Sequence, residues 1–597
     1  MSLFKELKRR NVIRVLVAYL AGAWLLIQIA DVIFPIYGPS EFALQVLITL
    51  LGVGLIPVFV VSWAYELTPE GLKRDADVAP GQSIAPQTGR RLDRVIMVVL
   101  ALALGFFAFD RFALDPARDI AREEAAEQRG RTKAYIESFG TKSIAVLPFE
   151  NMSSDPEQDY FSDGFAEELL NLLTKIPELR VISRSSAFAY RGDVHLSTVA
   201  EELNVAYVLE GSVRKSGNRI RITAQLINAR ADAHVWSETF ERESGDVFDI
   251  QDEIAGMVAD QLELKLLGRR SESRRTSPEI YDDYLRLKSE VFGSGVEERT
   301  IDELRSLVER DPNYVPALNL LGLTYYFTSG ISPGDLSKPK EGMRLSNEMI
   351  DRALAVDPDD TVANLYYGWH LLEDFNDPQQ GARYVEKAYN AEPGNAEVIR
   401  VAGAFARVIG HFDKAISLGE MSVALGPRCG NCYWVLGYAY QLAGQYVESE
   451  RAMRQRLEIV SSGWHDLGDA LLLQGKAKAA LEAYDSQQEG IGWLTARAAA
   501  LYSLGHDDQF EETMTQVLQQ GGEDYPYDIA LAYAWSGDID NAFIWLENAV
   551  KLDYRFLKNG LWDPRLSKLR DDPRWTEFWD LHWYTEQELE RVRLNIP

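Results

Sequence analysis

Two cysteines, Cys429 and Cys432, are the only ones in the chain and form the string Cys-Gly-Asn-Cys. That spacing suits haem attachment, zinc binding or thiol redox chemistry, and each asks for more than the pair. Haem attachment needs a histidine directly after the second cysteine, and Tyr433 stands there. A structural zinc site takes four ligands, and no second pair exists. A thioredoxin-type motif needs a βαβ setting, whereas the flanking residues read as helical. A local disulfide in an oxidising compartment, plain packing at a helix end, and a redox-sensing pair stay open; a cytosolic address would count against the disulfide. The histidines His195, His234, His370, His411, His465, His506 and His582 are dispersed, without an HExxH pair or metal-ligand spacing, and read as surface or packing residues. GxSxG, GxxxxGKS/T and GxGxxG strings are absent. The acidic runs at Asp357, Asp359 and Asp360 and at Asp571 and Asp572 read as helix-start carboxylates that favour the dipole, with calcium binding as the competing reading. No cofactor, no metal and no catalytic residue is therefore expected.

The whole chain sets further bounds. It has 597 residues, 62 Lys and Arg against 90 Asp and Glu, and a net charge of −28. That balance argues against a nucleic-acid partner, because phosphate recognition needs a basic face. Apolar residues make up 46 %, enough for packed cores, and the length predicts several domains.

Hydropathy marks the first part. Residues 12–34 (VIRVLVAYLAGAWLLIQIADVIF) and 43–65 (ALQVLITLLGVGLIPVFVVSWAY) are apolar runs of 23 residues each. As helices they measure about 34 Å at ~1.5 Å per residue, enough for a ~30 Å hydrocarbon layer. Residues 95–109 are a shorter run between Arg94 and Arg111, extended here to a third span over 94–114. A cleaved signal peptide is disfavoured, since the first run is long, lacks a small-residue cleavage site and is followed by a second. Lys5, Lys8, Arg9 and Arg10 precede the first run, and Lys73, Arg74, Arg90, Arg91 and Arg94 follow the second. Positive loops stay inside, so residues 1–114 are expected to form a three-helix transmembrane segment of a bacterial inner (plasma) membrane, with a cytoplasmic N-terminus and periplasmic C-terminal domains.

Residues 115–140 are polar and charged, and read as a solvated stalk. Over 141–268, strand and helix patterns alternate. Residues 143–149 and 179–185 read as strands, 161–176 as a helix with Asp163 as its N-cap, and 197–203 as a short helix. Residues 206–229 read as two strands about a turn at 215–218, 234–242 as another strand, and 250–266 as an amphipathic helix. The strings SIAVLPFENMSSDPEQDYFSDGFAEELLNLL, YVLEGSVRKSGNRIRITAQLI and VWSETFER, in that order, resemble the TolB amino-terminal-like, FlgO-like domain of proteobacterial envelope proteins. The N-terminal strings KELKRRNVIRVLVAYLAGAWLLIQIADVIFP and SWAYELTPEGLKR resemble a membrane module of the same proteins. The resemblance implies tetratricopeptide repeats beside the domain and, in some members, a fused CadC-type winged helix or class III adenylate cyclase. About ten residues precede the first expected span, too few for either effector.

After Pro278 a period near 34 sets in. Gly403, Gly410, Ala415 and Pro427 are followed by Gly437, Gly444 and Ser449, then by Gly468, Gly475, Ala480 and Tyr484, then by Gly505, Gly537, Ala542 and Ala549. Small residues at such spacing are the signature of stacked helix–turn–helix units, here an all-α tetratricopeptide-repeat solenoid over 278–555 with about eight units and an insertion at 329–342. Residues 556–597 resemble a terminal helical cap, with Trp562, Leu566, Leu569, Trp575 and Trp579 expected to cover the last open helix pair. First helices line the groove of such arrays, which puts Arg400, Arg407, Trp434, Tyr438, Gln441, His465 and Asp469 in a partner-binding groove. Aromatics and arginine are favoured anchors; the competing reading packs Trp434 and Tyr438 between neighbouring helices.

The expectation is thus a multidomain chain: a transmembrane segment, a small α/β domain and a repeat solenoid. Its expected role is a non-catalytic scaffold or adaptor that binds envelope proteins or peptides, with homo-oligomerisation left open. A transmembrane signal transducer is the alternative. A cyclase-related enzyme ranks last, because no segment of cyclase length remains unassigned.

Overall fold

The computed structural model describes residues 142–596 apart from 177, 193, 230, 232, 265–274, 294, 329–336, 374–376, 488, 489, 521 and 553–556, and before them scattered positions between 12 and 74. They divide into two units, 1–126 and 127–597.

In the first unit, Tyr65–Thr68 (β1) and Gly71–Arg74 (β2) form an antiparallel hairpin with Thr68 opposite Gly71. The Tyr19 hydroxyl donates to the Leu51 carbonyl at 2.7 Å. The expected three-helix transmembrane segment is overturned: among the described residues no helix is long and apolar enough to cross a membrane. A crossing needs about 20 consecutive apolar residues in one helix. Apolar composition supplied such windows, but composition does not enforce helical continuity, and the run over 43–65 ends in strand β1 at Tyr65. The third expected span, 94–114, and the stalk, 115–140, lie outside the described residues, as does 329–336 of the insertion.

The second unit opens with the α/β domain. Ser143–Val146 (β3), Glu150–Asn151 (β4), Arg180–Val181 (β5), Tyr207–Ser216 (β6), Arg219–Asn228 (β7) and Ala233–Glu243 (β8) form a mixed sheet in the order β5-β3-β6-β7-β8, with β4 beside β6. Strand β3 runs parallel to β5 and β6, because helices carry the chain back between them. Strands β6 and β7 instead turn at Gly217, whose φ of +57° suits a tight hairpin, with Ser216 opposite Arg219. The helices are Asp159–Leu173 (α1), Arg184–Ala187 (α2), Leu196–Glu202 (α3) and Val247–Gln261 (α4). Phe165, Leu169 and Leu173 of α1 and Ile254 and Val258 of α4 are fully buried with Ile144, Val208 and Ile222 of the sheet. Asp163 does not cap: α1 begins four residues earlier, and Asp163 pairs with Arg191 at 2.5 Å.

Eight antiparallel helix pairs follow: Pro278–Phe292 with Glu298–Arg310 (α5, α6), Val315–Thr328 with Ser337–Val356 (α7, α8), Thr361–Glu373 with Pro378–Ala391 (α9, α10), Ala396–Val408 with Phe412–Leu425 (α11, α12), Gly430–Leu442 with Tyr446–Ile459 (α13, α14), Trp464–Leu473 with Ala477–Asp485 (α15, α16), Gly490–Ser503 with Asp507–Gln519 (α17, α18), and Pro526–Ser536 with Ile539–Lys551 (α19, α20). The C-terminal part is therefore an all-α helical repeat of the tetratricopeptide kind. Small residues sit where helices touch: a Cβ on Gly468 would lie 2.2 Å from the Tyr484 ring. The turns inside the pairs use Gly410, Gly444, Gly475, Gly505 and Gly537, all with φ between +74° and +91°, a conformation that costs other residues about 1–2 kcal/mol.

Among the described residues the α/β domain packs on the array near α5 and again near the ends of α10 and α12. Against α5, Lys288 reaches Glu168 at 3.0 Å and Glu167 at 3.2 Å, and Tyr160 donates to Asp282 at 3.1 Å. Further along, Thr174 donates to Glu392 at 3.3 Å, and the Ser183 amide donates to the Leu425 carbonyl at 2.8 Å.

The cap departs from expectation. Its 3-10 turns Leu557–Leu561 and Pro564–Leu569 and helices Arg574–His582 (α21) and Glu586–Leu589 (α22) do not stop at the last pair. They cross back over the first helices: Lys558 bonds the Glu373 carbonyl of α9, Trp562 Nε1 donates to the Val408 carbonyl of α11 at 2.9 Å, Arg565 meets Asp469 of α15 at 2.5 Å, and Tyr527 of α19 donates to Asp563 at 3.1 Å. Leu557, Leu561, Trp562, Leu566, Leu569, Trp575, Phe578 and Trp579 are all buried. At about 1.5–3 kcal/mol per large apolar side chain, the cap belongs to the core and is not a detachable lid.

Candidate functional site

The seven groove positions separate once the cap is in place. Arg400 turns back on its own helix, with Nε 2.8 Å from Glu397 Oε2 and Nη2 2.6 Å from Oε1. Burial disfavours its charge, but Glu397 outweighs that and raises its pKa. Arg407 is 3 % exposed; its Nη1 donates to Asn559 of the cap at 2.9 Å, and its guanidinium lies 4.6 Å from the Tyr438 ring centroid. Among the described residues it forms no ion pair, and burial lowers its pKa. Gln441 is 1 % exposed. Trp434 stacks on Tyr438 at 5.8 Å and donates to Asp466 at 3.2 Å. Asp469 accepts from Tyr484 at 2.7 Å and faces Arg565, which also binds Asp563 at 2.7 Å. Burial raises the Asp469 pKa, with Arg565 acting against it.

The middle of the groove is thus occupied by the chain itself. Of the positions expected to bind a partner, Arg407 bonds the cap through Asn559 and lies over Tyr438, Asp469 pairs with Arg565 of the cap, and Gln441 is buried. The sequence showed the cap's aromatic content but not its destination. A buried arginine and a buried aspartate need polar partners, and Asn559, Asp563 and Arg565 supply them.

A cavity of about 290 Å³ lies between α15, α17 and α19, lined by His465 and Asp469, by Trp493 and Thr495, by Tyr525, Asp528 and Trp535, and by Arg565. Asp469 and Asp528 place two carboxylates on its wall, beside the Arg565 guanidinium and the His465 ring. At its rim His465 lies 3.2 Å from Asp466, which also binds Arg456 at 3.0 Å. Burial disfavours the imidazolium, but Asp466 and then Asp469 more than compensate, so the pKa rises to about 9. Two carboxylates and three large rings suit a cation with an apolar stem. Only His465 and Asp469 of this wall were singled out in the sequence. Trp493 was legible, because it stands three residues before Ala496 just as Trp434 and His465 stand before Gly437 and Gly468.

The cysteines lie elsewhere. Cys429 and Cys432 form a disulfide at the start of α13, where Cys429 is the N-cap and its Sγ accepts from the Cys432 amide at 3.1 Å. Asp360 accepts from the Ala363 amide at 2.9 Å, and Asp572 from the Arg574 amide at 2.9 Å, both at helix starts. Among the described residues no group of three or more His, Cys, Asp and Glu is arranged to hold a metal ion.

Residues 140–257 match the family model of the HilA/YgeH-like transcriptional regulator, second domain. A Rhizobium meliloti (strain 1021) protein named "Putative adenylate cyclase 3" is 40 % identical over 223 residues, 35 % of this chain. The chain spans 37 % of the length of that curated relative. Among solved structures, PilW, a type IV pilus biogenesis factor, is 20 % identical with a TM-score of 0.30, over 36 % of this chain and 94 % of that one. Pseudomonas aeruginosa pilF is 15 % identical with a TM-score of 0.28, over 37 % of this chain and 93 % of that one. Scores this low carry no inference about function.

Proposed function

We propose that the chain is a non-catalytic protein-binding adaptor whose open cavity between α15, α17 and α19 receives an extended partner segment through a lysine or arginine side chain. The observation that carries this reading is the cavity beside the Arg565–Asp469 pair, with Trp493, Trp535 and Tyr525 as walls and the Asp469 and Asp528 carboxylates in its lining. The overall charge of −28 favours encounter with basic segments. The disulfide favours an oxidising compartment, so envelope proteins are the proposed partners. The test is fluorescence anisotropy of the full chain with arrays of labelled peptides, each lysine or arginine replaced in turn by norleucine. Loss of binding on replacing one basic residue supports the reading; peptides that bind equally well without any basic residue overturn it.

A second reading, a signal-transducing role for the α/β domain, is favoured by the match of residues 140–257 to a regulator domain. It requires that peptide binding at the repeats alters amide exchange in 143–264. Unchanged exchange there removes it.

A further inference from the structure

The disulfide lies at the seam between the α/β domain and the repeats. The five residues before it, 424–428, make one group of the contacts across it. The Ala424 carbonyl accepts from Arg180 Nη2 at 2.5 Å, the Leu425 carbonyl from the Ser183 amide at 2.8 Å, and the Arg428 amide donates to Ser186 Oγ at 2.9 Å. The Arg428 guanidinium also lies 5.4 Å from the Tyr190 ring centroid. The two sulfurs are unequal. Cys432 is 2 % exposed within α13, while Cys429 is half-buried at the helix mouth with its Sγ on the Cys432 amide. A sulfur so placed is stabilised as the thiolate by the amide and the helix dipole.

We propose that Cys429–Cys432 is a reversible thiol–disulfide exchange site for a dithiol reductant, and that opening it loosens the seam between the α/β domain and the repeats. A thiolate of the dithiol attacks Cys429 Sγ, the more accessible sulfur; the Cys429–Cys432 bond breaks, and Cys432 leaves with the electron pair and takes a proton. The second thiol of the reductant then attacks the mixed disulfide and leaves as part of a cyclic disulfide, releasing Cys429 as a thiolate at the helix mouth. Two electrons pass to the protein, and the dithiol is oxidised by two. The side-chain cross-link between the N-cap and the first turn is then gone, and the turn 424–428 keeps its place at the helix mouth only through the backbone and its hydrogen bonds. This inference is independent of the peptide cavity.

The full chain is equilibrated in dithiothreitol buffers of increasing reducing power, and hydrogen exchange and thiol alkylation are followed by mass spectrometry. Reduction is expected without global unfolding, with exchange in 180–186 and 424–428 about tenfold faster and the sheet strands unchanged. In Cys432→Ser, the Cys429 thiol is expected to alkylate with a pKa below the ordinary value of about 8.5. In Cys429→Ser/Cys432→Ser, exchange at the seam no longer responds to dithiothreitol. Equal seam exchange in oxidised and reduced protein, reduction only upon unfolding, or an ordinary Cys429 pKa each overturns the proposal.

Discussion

Arg565 Nη1 lies 2.5 Å from Asp469 Oδ2, although 96 residues separate the two. One residue belongs to the cap and the other to the sixth repeat, and Arg565 is shared with Asp563, whose side chain is fully buried. Breaking a buried ion network by removing one partner leaves the rest unpaired, at a cost of about 3–5 kcal/mol. Arg565→Met is therefore expected to lower the unfolding free energy measured in urea by about that amount, seen as a lower midpoint. Adding Asp469→Asn and Asp563→Asn recovers part of the loss. A midpoint unchanged in Arg565→Met contradicts the assignment.

Gly410 and Gly444 provide a matched pair. Both adopt positive φ, +81° and +75°, but a Cβ at Gly410 would sit 2.5 Å from the Trp562 ring, while one at Gly444 meets nothing within 4 Å. Alanine at either costs about 1–2 kcal/mol for the left-handed backbone. Gly410→Ala adds about 1–3 kcal/mol for overpacking against the cap. Equal destabilisation of the two variants by thermal melting would show that Trp562 does not press on this turn.

Peptide affinity and stability separate by position. Asp528→Asn keeps the shape of the cavity wall and is expected to weaken a basic peptide about tenfold, or about 1.4 kcal/mol, with a smaller change in Tm than Arg407→Ala. Arg407→Ala does the reverse: it removes the contact to Asn559 and the stack on Tyr438, so Tm falls. If Arg407→Ala abolishes peptide binding at unchanged Tm, the groove is open where the cap is placed.

His465 gives a pH signature. Its pKa is raised to about 9 in the fold, against about 6.5 in an unfolded chain. A raised value means that the stabilisation is complete below about 6.5 and is lost as pH rises through about 9. The Tm difference between the unmodified chain and His465→Gln is therefore expected to shrink across that interval and to vanish above it. The side chain is 59 % exposed, so the effect is small and salt weakens it. A difference that grows with pH would contradict the sign.

Local demands were legible in the sequence; distant pairings were not. Gly403, Gly437 and Gly468 could be read as crossing points because a helix pair excludes side chains there, and the turn glycines because few other residues adopt positive φ. The sheet strands and the hairpin at Gly217 were legible for the same local reason. Trp562, Trp575 and Trp579 announced burial but not against what, since hydrophobic attraction has no address. Asp469 was marked as a groove residue, yet its partner Arg565 carried no local signal. The apolar runs before residue 70 gave an expectation of spanning helices that no described helix meets, because hydropathy records content and not helix length.

The path of the cap changes how the array should yield under load. A plain solenoid touches only its nearest neighbours and stretches like a spring, one coil at a time. Here a strap runs from the third repeat to the eighth, so pulling across that stretch loads the strap before it opens the coils beneath it. Rupture should come as one large event whose force drops sharply when the last forty residues are removed.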